Sequence, residues 1–303
     1  MTWRSVMISR PAKLRREHFS LAIEQDDTAF VPFEDIAVIV LNHREITLTH
    51  PVLSACAEYG IGLYATGDNH QPSGVFLPFL QHSRSTRMWR LQQAASRPLV
   101  KQVWAGIIRC KISNQRTCLR LSGKDGIDRL ESYARRVRSG DPDRMEAQAA
   151  AFYFPRLFGP GFERSNAGWS NAALDYGYAV LRGVIARGLV AHGLHPSVGL
   201  FHGSEQNAFN LADDLIEPFR PLVDLHVSTL ARRMSQDELL PPDKAALVNL
   251  LNVDVAMPRG VMSALSAVEQ CVESLVRVFE TDDDNLLELP TLIGLSPHRV
   301  DGS

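Results

Sequence analysis

Four residues of this chain have the types and order needed to hold one divalent cation: Glu146, His202, Asp214 and Glu217. Glu146 sits in the helical-looking run Glu146-Ala-Gln-Ala-Ala-Ala-Phe-Tyr153, and His202 closes the Pro/Gly-rich stretch from Gly193. Asp214 and Glu217 are three apart, a spacing that puts two side chains on one helix face. Carboxylate oxygens with one imidazole suit Mg²⁺ or Mn²⁺. The chemistry of such an ion is phosphoester chemistry, which points towards nucleic acid.

Each residue also has a plainer reading. Glu146 follows Asp141-Pro142-Asp143, where acids favour a helix N-terminus, and a lone helical glutamate is usually just solvated. His192, His195 and His226 compete with His202, but the first two flank a helix stop. The run Val198-Gly199-Leu200-Phe201 reads as a buried strand, which would set His202 at the rim of a core. Asp214 and Glu217 are interleaved with Leu211, Leu215 and Ile216, and acids in an apolar segment need partners. Arg220 is one candidate partner and a metal is the other. Pro218 would kink or stop the helix there and fix the aim of Glu217.

Other chemistries lack their motifs. The sequence has no His-Asp dipeptide, no His-Glu-x-x-His, no phosphate-loop glycine spacing before Lys124 and no G-x-S-x-G elbow. Cys56, Cys110, Cys118 and Cys271 form no C-x-x-C pair, so they read as reduced thiols.

The elements that must carry these residues follow from pattern. The chain has 303 residues, 45% hydrophobic and 22% charged, enough for two domains. Residues 1–80 read as a β-rich domain, with runs Trp3–Ser9, His18–Glu24, Ala29–Phe33, Ile36–Leu41 and Ile61–Ala65. Thr49, Pro51 and Gly60 mark the cap, first turn and stop of one helix among them. Thr66-Gly67-Asp68-Asn69 reads as a turn, and Gln71-Pro72-Ser73-Gly74 as the exit from this domain. From Arg84 the pattern is helical, including Pro98–Leu121, Pro142–Phe154, Asn171–His192, Ala208–Met234 and Val261–Phe279. The predicted fold class is therefore α+β, a small N-terminal β-rich domain followed by an all-helical domain at 84–280. Residues 281–303 read as an acidic, flexible tail.

Net charge is only −2, yet residues 84–140 hold fourteen Lys/Arg against three acids. Such a stripe could neutralise phosphates, with Arg84, Lys101, Arg109 and Lys111 as candidate contacts. The alternative is a solvated helical face. Early charges and short apolar runs give no signal peptide or membrane span, so a cytoplasmic location is expected.

Several segments together resemble the CRISPR-associated adaptation integrase, the Cas-one family, in the compact variant of type II systems. They are Lys101-Gln-Val-Trp104 through Lys111-Ile-Ser-Asn114-Gln115, Glu146 through Pro155, Asn171 through Leu181, Gly193 through His202 and Phe209 through Pro221. The resemblance implies an N-terminal β domain that dimerises and a helical catalytic domain. It implies a homodimer, two of which flank a dimer of the small Cas-two subunit in a heterohexamer. It also implies double-stranded DNA partners, a prespacer and the CRISPR repeat, and other type II CRISPR proteins. The activity implied is insertion of captured DNA by transesterification of a 3′-hydroxyl end, with endonuclease activity. By the same resemblance Glu146, His202 and Glu217 match the catalytic metal ligands, and Asp214 an accessory acid nearby. A non-catalytic DNA- or partner-binding helical scaffold is the rival reading.

Overall fold

A continuous apolar run is what a strand covered on both faces requires, and Ile36-Ala-Val-Ile-Val-Leu41 is the clearest one here. In the computed structural model, which describes residues 4–67, 72–78, 82–231 and 239–298, this run lies between two cores. The strands β1 (Arg4–Ile8), β2 (Ala12–Glu17), β3 (Ser20–Glu24) and β4 (Thr28–Pro32) precede it. It is β5 (Ile36–Leu41), followed by β6 (Ile46–Leu48), α1 (His50–Tyr59), β7 (Gly62–Thr66) and β8 (Pro72–Phe76). One sheet has the order β1-β5-β7-β8 and a second the order β4-β3-β2-β6.

Ile36 and Ile39 of β5 pack with Leu14, Leu21, Phe33 and Val52 in the N-terminal core. Ala37, Val38 and Val40 join the larger core formed by the helices. The same strand thus ties the β-rich part to the helical part. The helix α1 begins after Thr49 and ends at Gly60, whose φ of 71° is left-handed, although the Thr49 side chain makes no capping bond.

The helical part runs α2 (Ser85–Ala94), α3 (Arg97–Leu121), α4 (Ile127–Arg136), α5 (Met145–Phe158), α6 (Trp169–Ala191), α7 (Asn210–Leu215) and α8 (Arg220–Ala231). After it come α9 (Pro241–Asn249), β9 (Val253–Met257), β10 (Gly260–Ser263), α10 (Ala264–Thr281) and β11 (Thr291–Pro297). No described helix is long and apolar enough to cross a membrane.

Four expectations change. The second region is not all-helical, because Val253, Val255 and Met257 alternate inward with period two and form a strand. That strand carries the three-stranded sheet β10-β9-β11, and the helix expected from Val261 starts only at Ala264. The segment after residue 281 is no loose tail as far as His298. The Leu292 side chain is buried, its N–H donates to Asn114 Oδ1 at 3.0 Å, and β11 pairs with β9. Of the expected tail, 299–303 lie outside the described residues. The stretch read as a domain exit is β8 from Pro72, paired antiparallel with β7, while Gln71, Asp68 and Asn69 lie outside the described residues. The helix expected over Ala208–Met234 is broken by a 3₁₀ turn, Glu217–Phe219, around Pro218, and its last residues, 232–234, lie outside the described residues.

The halves meet closely at Gly183 of α6, where an added Cβ would stand 2.4 Å from the Tyr64 ring of β7. Alanine gains about 1 kcal/mol of helix propensity over glycine. Overpacking against a buried ring costs about 1–3 kcal/mol, so the clash wins. Gly183→Ala should lower stability by up to about 2 kcal/mol in chemical denaturation; a stabilised variant would show that Tyr64 yields freely.

Candidate metal and nucleic-acid site

The Asp214 carboxylate organises the loop that carries His202. It is fully buried on α7. Oδ2 accepts the backbone N–H of Leu200 (2.5 Å) and Phe201 (3.1 Å), and Oδ1 accepts the N–H of His202 (3.1 Å). The His202 ring donates from Nδ1 to Oδ1 at 2.7 Å. That bond selects the tautomer and leaves Nε2 as the basic nitrogen. The loop closes so tightly that a Cβ on Gly199 would lie 2.2 Å from the His202 carbonyl and 2.9 Å from Asp214 Oδ2. Val198–Phe201 is therefore a loop and not the buried strand expected, because the Leu200 and Phe201 N–H groups bond to a side chain and the Val198 N–H to the His195 carbonyl, none to a neighbouring strand. The hydrogen bond to Asp214 raises the His202 pKa, burial of the ring opposes this, and the Glu217 and Asp213 charges add to the rise.

Glu217 begins the turn that Pro218 forces. Its carboxylate is buried between two cations: Arg220 Nε donates to Oε1 at 2.8 Å, and the Lys111 ammonium touches Oε2. Burial alone would push this carboxyl upward, but the Lys111 and Arg220 charges outweigh it and hold it down at about 2. Lys111 Nζ also pairs with Glu146 Oε1 at 2.6 Å, so one ammonium joins the two carboxylates. Glu146 is aimed by the start of α5, where Asp141 accepts the N–H of Met145 (2.8 Å) and Glu146 (3.0 Å).

Behind the pair lies a polar layer. Asn114 Nδ2 donates to the carbonyls of Pro218 (2.8 Å) and Pro290 (2.9 Å), tying the Glu217 turn to α3 and to the lead-in of β11. Arg220 lies over the Tyr178 ring at 4.5 Å. Buried Asp224 accepts from the hydroxyls of Tyr153 (3.0 Å) and Tyr178. Burial pushes its carboxyl up to about 6 against those two hydrogen bonds.

The structure thus joins Glu146 to Glu217 through Lys111, and His202 to Asp214. Among the described residues no three His, Cys, Asp or Glu side chains stand together in ligating geometry. The donor chemistry still fits a hard cation. Two carboxylates converge on one positive point, and Glu217 Oε2 is buried there without an aligned hydrogen bond. The imidazole is held in the tautomer that frees Nε2.

Lys111 moves furthest from its expected role. It is 7% exposed and engaged by acids, so it belongs to this cluster and not to a phosphate-binding surface. One signal was in the sequence: a lysine among Ile107, Ile108, Ile112 and Gln115 on a core-facing helix requires a buried partner. Asn114, Tyr153, Tyr178 and Asp224 carried no comparable signal.

Arg84, Lys101 and Arg109 are exposed. Much of the remaining basic stripe is neutralised locally. Glu131 pairs with Arg116 and Arg135, Asp143 with Arg138, and Glu280 with Arg87.

The fold superposes on a casposase bound to integration product with TM-score 0.76, at 19% identity, over 93% of this chain and 92% of that one. It also matches a chain of a Cas6-RT-Cas1–Cas2 complex with TM-score 0.73, at 17% identity, over 95% of this chain and 36% of that longer one. The sequence profile of the family described as CRISPR associated protein Cas1 matches residues 6–239. A CRISPR-associated endonuclease Cas1 from Neisseria meningitidis serogroup C (strain 8013) is 42% identical over 304 aligned positions, covering 99% of this chain and 100% of that protein. The chain belongs to the Cas1 family.

The His202–Asp214 bond has a measurable consequence. A group whose folded pKa is raised stabilises the fold below its unfolded pKa of about 6.5, and loses that contribution as pH rises through the raised value. In Asp214→Asn the His202 ring should titrate at lower pH in an NMR titration, with less stability gained on acidification. An unmoved midpoint would show that Asp214 does not set the ring's charge.

Proposed function

We propose that this chain is a CRISPR adaptation integrase. It joins 3′-hydroxyl ends of captured DNA to a CRISPR repeat by metal-dependent transesterification, and acts as a DNA endonuclease when water is the nucleophile. One observation carries the reading: the Glu146 and Glu217 carboxylates converge on a single cationic point, with an Asp214-oriented imidazole on the adjoining loop, in a chain of the Cas1 family. The Neisseria relative's description as an endonuclease and the casposase neighbour's integration product support it.

Glu146, Glu217 and His202 Nε2 would hold Mg²⁺ or Mn²⁺. Such an ion, when bound, activates the hydroxyl or water and neutralises charge developing on the phosphate. The chain's own residues do the rest. Asp214 fixes the tautomer and orientation of His202. Arg220 and Asn114 fix the Glu217 turn. Lys111 holds the two carboxylates together against their mutual repulsion. Arg84, Lys101 and Arg109 contact the DNA backbone without reading sequence.

For assembly, residues 1–80 form the dimerisation domain of a homodimer, and two homodimers join a Cas2 dimer as a heterohexamer. Phe19 and Phe30 of the β-rich part, both exposed, supply apolar surface for such a contact. The complex containing Cas1 and Cas2 among the structural neighbours supports the second partner. A scaffold that only binds DNA or a partner is the second reading, favoured by one observation: Lys111 already pairs with both acids, and Arg220 with Glu217.

His202→Ala should lose integration of a 3′-hydroxyl oligonucleotide into a repeat-bearing plasmid by more than about a hundredfold, and Asp214→Asn by about ten- to a hundredfold. Full activity in His202→Ala would sink the ligand assignment. Calorimetry with Mn²⁺ separates the readings, because a scaffold gives no heat that depends on Glu146. Charge reversal at Arg84, Lys101 and Arg109 together should weaken DNA binding and reduce the slope of log affinity against log salt by about 3. An unchanged slope would place the DNA elsewhere.

A further inference from the structure

The loop that carries His202 is held from two sides. From α7, Asp214 takes the N–H groups of residues 200–202, and Asn210 Nδ2 donates to the Ser197 carbonyl at 3.0 Å. The Leu211 N–H donates to the Pro196 carbonyl at 2.7 Å. From α2 a single buried side chain, Gln92, reaches across. Its Oε1 accepts the His195 N–H at 2.9 Å, and its Nε2 donates to the carbonyls of His195 (3.0 Å) and Val198 (2.7 Å).

A carboxamide suits this place because it carries a donor and an acceptor on one planar end, as a peptide group does. Both Nε2 protons are committed, so the amide cannot turn over without losing two bonds. The tie at Val198 bears directly on His202. The next residue is Gly199, where even a Cβ would stand 2.2 Å from the His202 carbonyl, so a shift of the Val198 peptide reaches His202 with no slack. The loop also meets α3, where the Phe201 ring lies flat on the Trp104 ring with centroids 4.4 Å apart. That contact is apolar and leaves the peptide planes free. The helix α2 has its own footing: Met88 is buried in the helical core, and Arg87 pairs with Glu280 of α10 at 3.2 Å.

We propose that Gln92 is a positioning residue for His202. It clamps the His195 and Val198 peptides to α2, so that the imidazole stands where it can share a cation with the Glu146 and Glu217 carboxylates. Asp214 sets the tautomer and direction of the ring, and Gln92 sets where the loop lies. A ligand group has to be held within about 0.5 Å of its productive place, which a loop tied from one side does not ensure. This rests on the metal-dependent reading of the site and adds a residue that acts through His202 and not by contact with the ion.

The test compares the full chain with Gln92→Met, which keeps the length of the side chain and removes all three hydrogen bonds. Without metal, the amides of Leu200, Phe201 and His202 should exchange hydrogen about tenfold faster or more in the variant, while Ile107 and Ile108 in α3 keep the parent's rates. Mn²⁺ affinity in calorimetry should fall about tenfold. In DNA cleavage kcat should fall with KM for DNA unchanged.

Unchanged exchange at residues 200–202 would overturn the proposal, as would unchanged Mn²⁺ affinity. Equal acceleration in α3 and in the loop would also overturn it, because it marks a residue that only stabilises the fold. If Gln92→Met does not fold, as judged by circular dichroism, Gln92→Glu is read in the same way: it keeps the acceptor for the His195 N–H and loses both donations. Absence of Mn²⁺ binding by the parent, or its full retention in His202→Ala, would refute the metal reading. The exchange measurement needs no metal, so it decides the clamp separately.

Discussion

A buried ammonium needs negative charge around it, and Lys111 obtains it from two chain segments far apart in sequence. Its Nζ meets Glu146 at the start of α5 and Glu217 in the turn before α8. Removing such charges from water costs several kcal/mol per ion, so each member must be held in place by structure that does not depend on the pair itself. Asp141 does this for Glu146, and Arg220 and the Asn114–Pro218 bond do it for Glu217. The site's electrostatics follow from this arrangement. Glu217 stays ionised while enclosed, and Asp224, whose direct partners among the described residues are tyrosine hydroxyls, is pushed up to about 6 by burial.

That requirement gives the rest of the fold its role. The helix α3 supplies Lys111, Asn114 and Trp104 from one element, and therefore touches the carboxylates, the C-terminal segment and the His202 loop together. The strand β11 closes the far side, with its lead-in and Leu292 both bonded to Asn114. The His202 loop is separate in construction. It is a short stretch whose backbone N–H groups converge on one buried carboxylate, with glycine at position 199 because no Cβ fits. Two differently built supports thus present acid and imidazole donors from different parts of the helical region.

The break at Pro218 and the core run of β5 were legible because a single residue type or a continuous pattern forces each. The period-two strand β9 was equally patterned, but it is short, and the helical pattern that runs from β10 into α10 masked the hairpin they form. The end of the chain misled through composition. Asp282, Asp283 and Asp284 read as tail, yet they form the turn after α10, with Asp282 in the left-handed region, before the apolar Leu287 and Leu289 pack back on the core. The basic stripe misled for a related reason: a count of charges along a sequence does not show that Glu131 serves both Arg116 and Arg135.

By itself the sequence determined the types of donor, their order, the apolar faces that bury the helices, and the segments whose likeness marks the Cas1 family. These are local properties, set by side-chain chemistry and by periods of two and 3.6 residues. Only the tertiary structure decided which donors meet. It put Lys111 between Glu146 and Glu217, gave Asp214 to His202 as an orienting carboxylate, and turned Phe201 outward onto Trp104. Those pairings depend on where helices distant in sequence cross, and crossing is settled by packing of whole elements, which no single segment encodes.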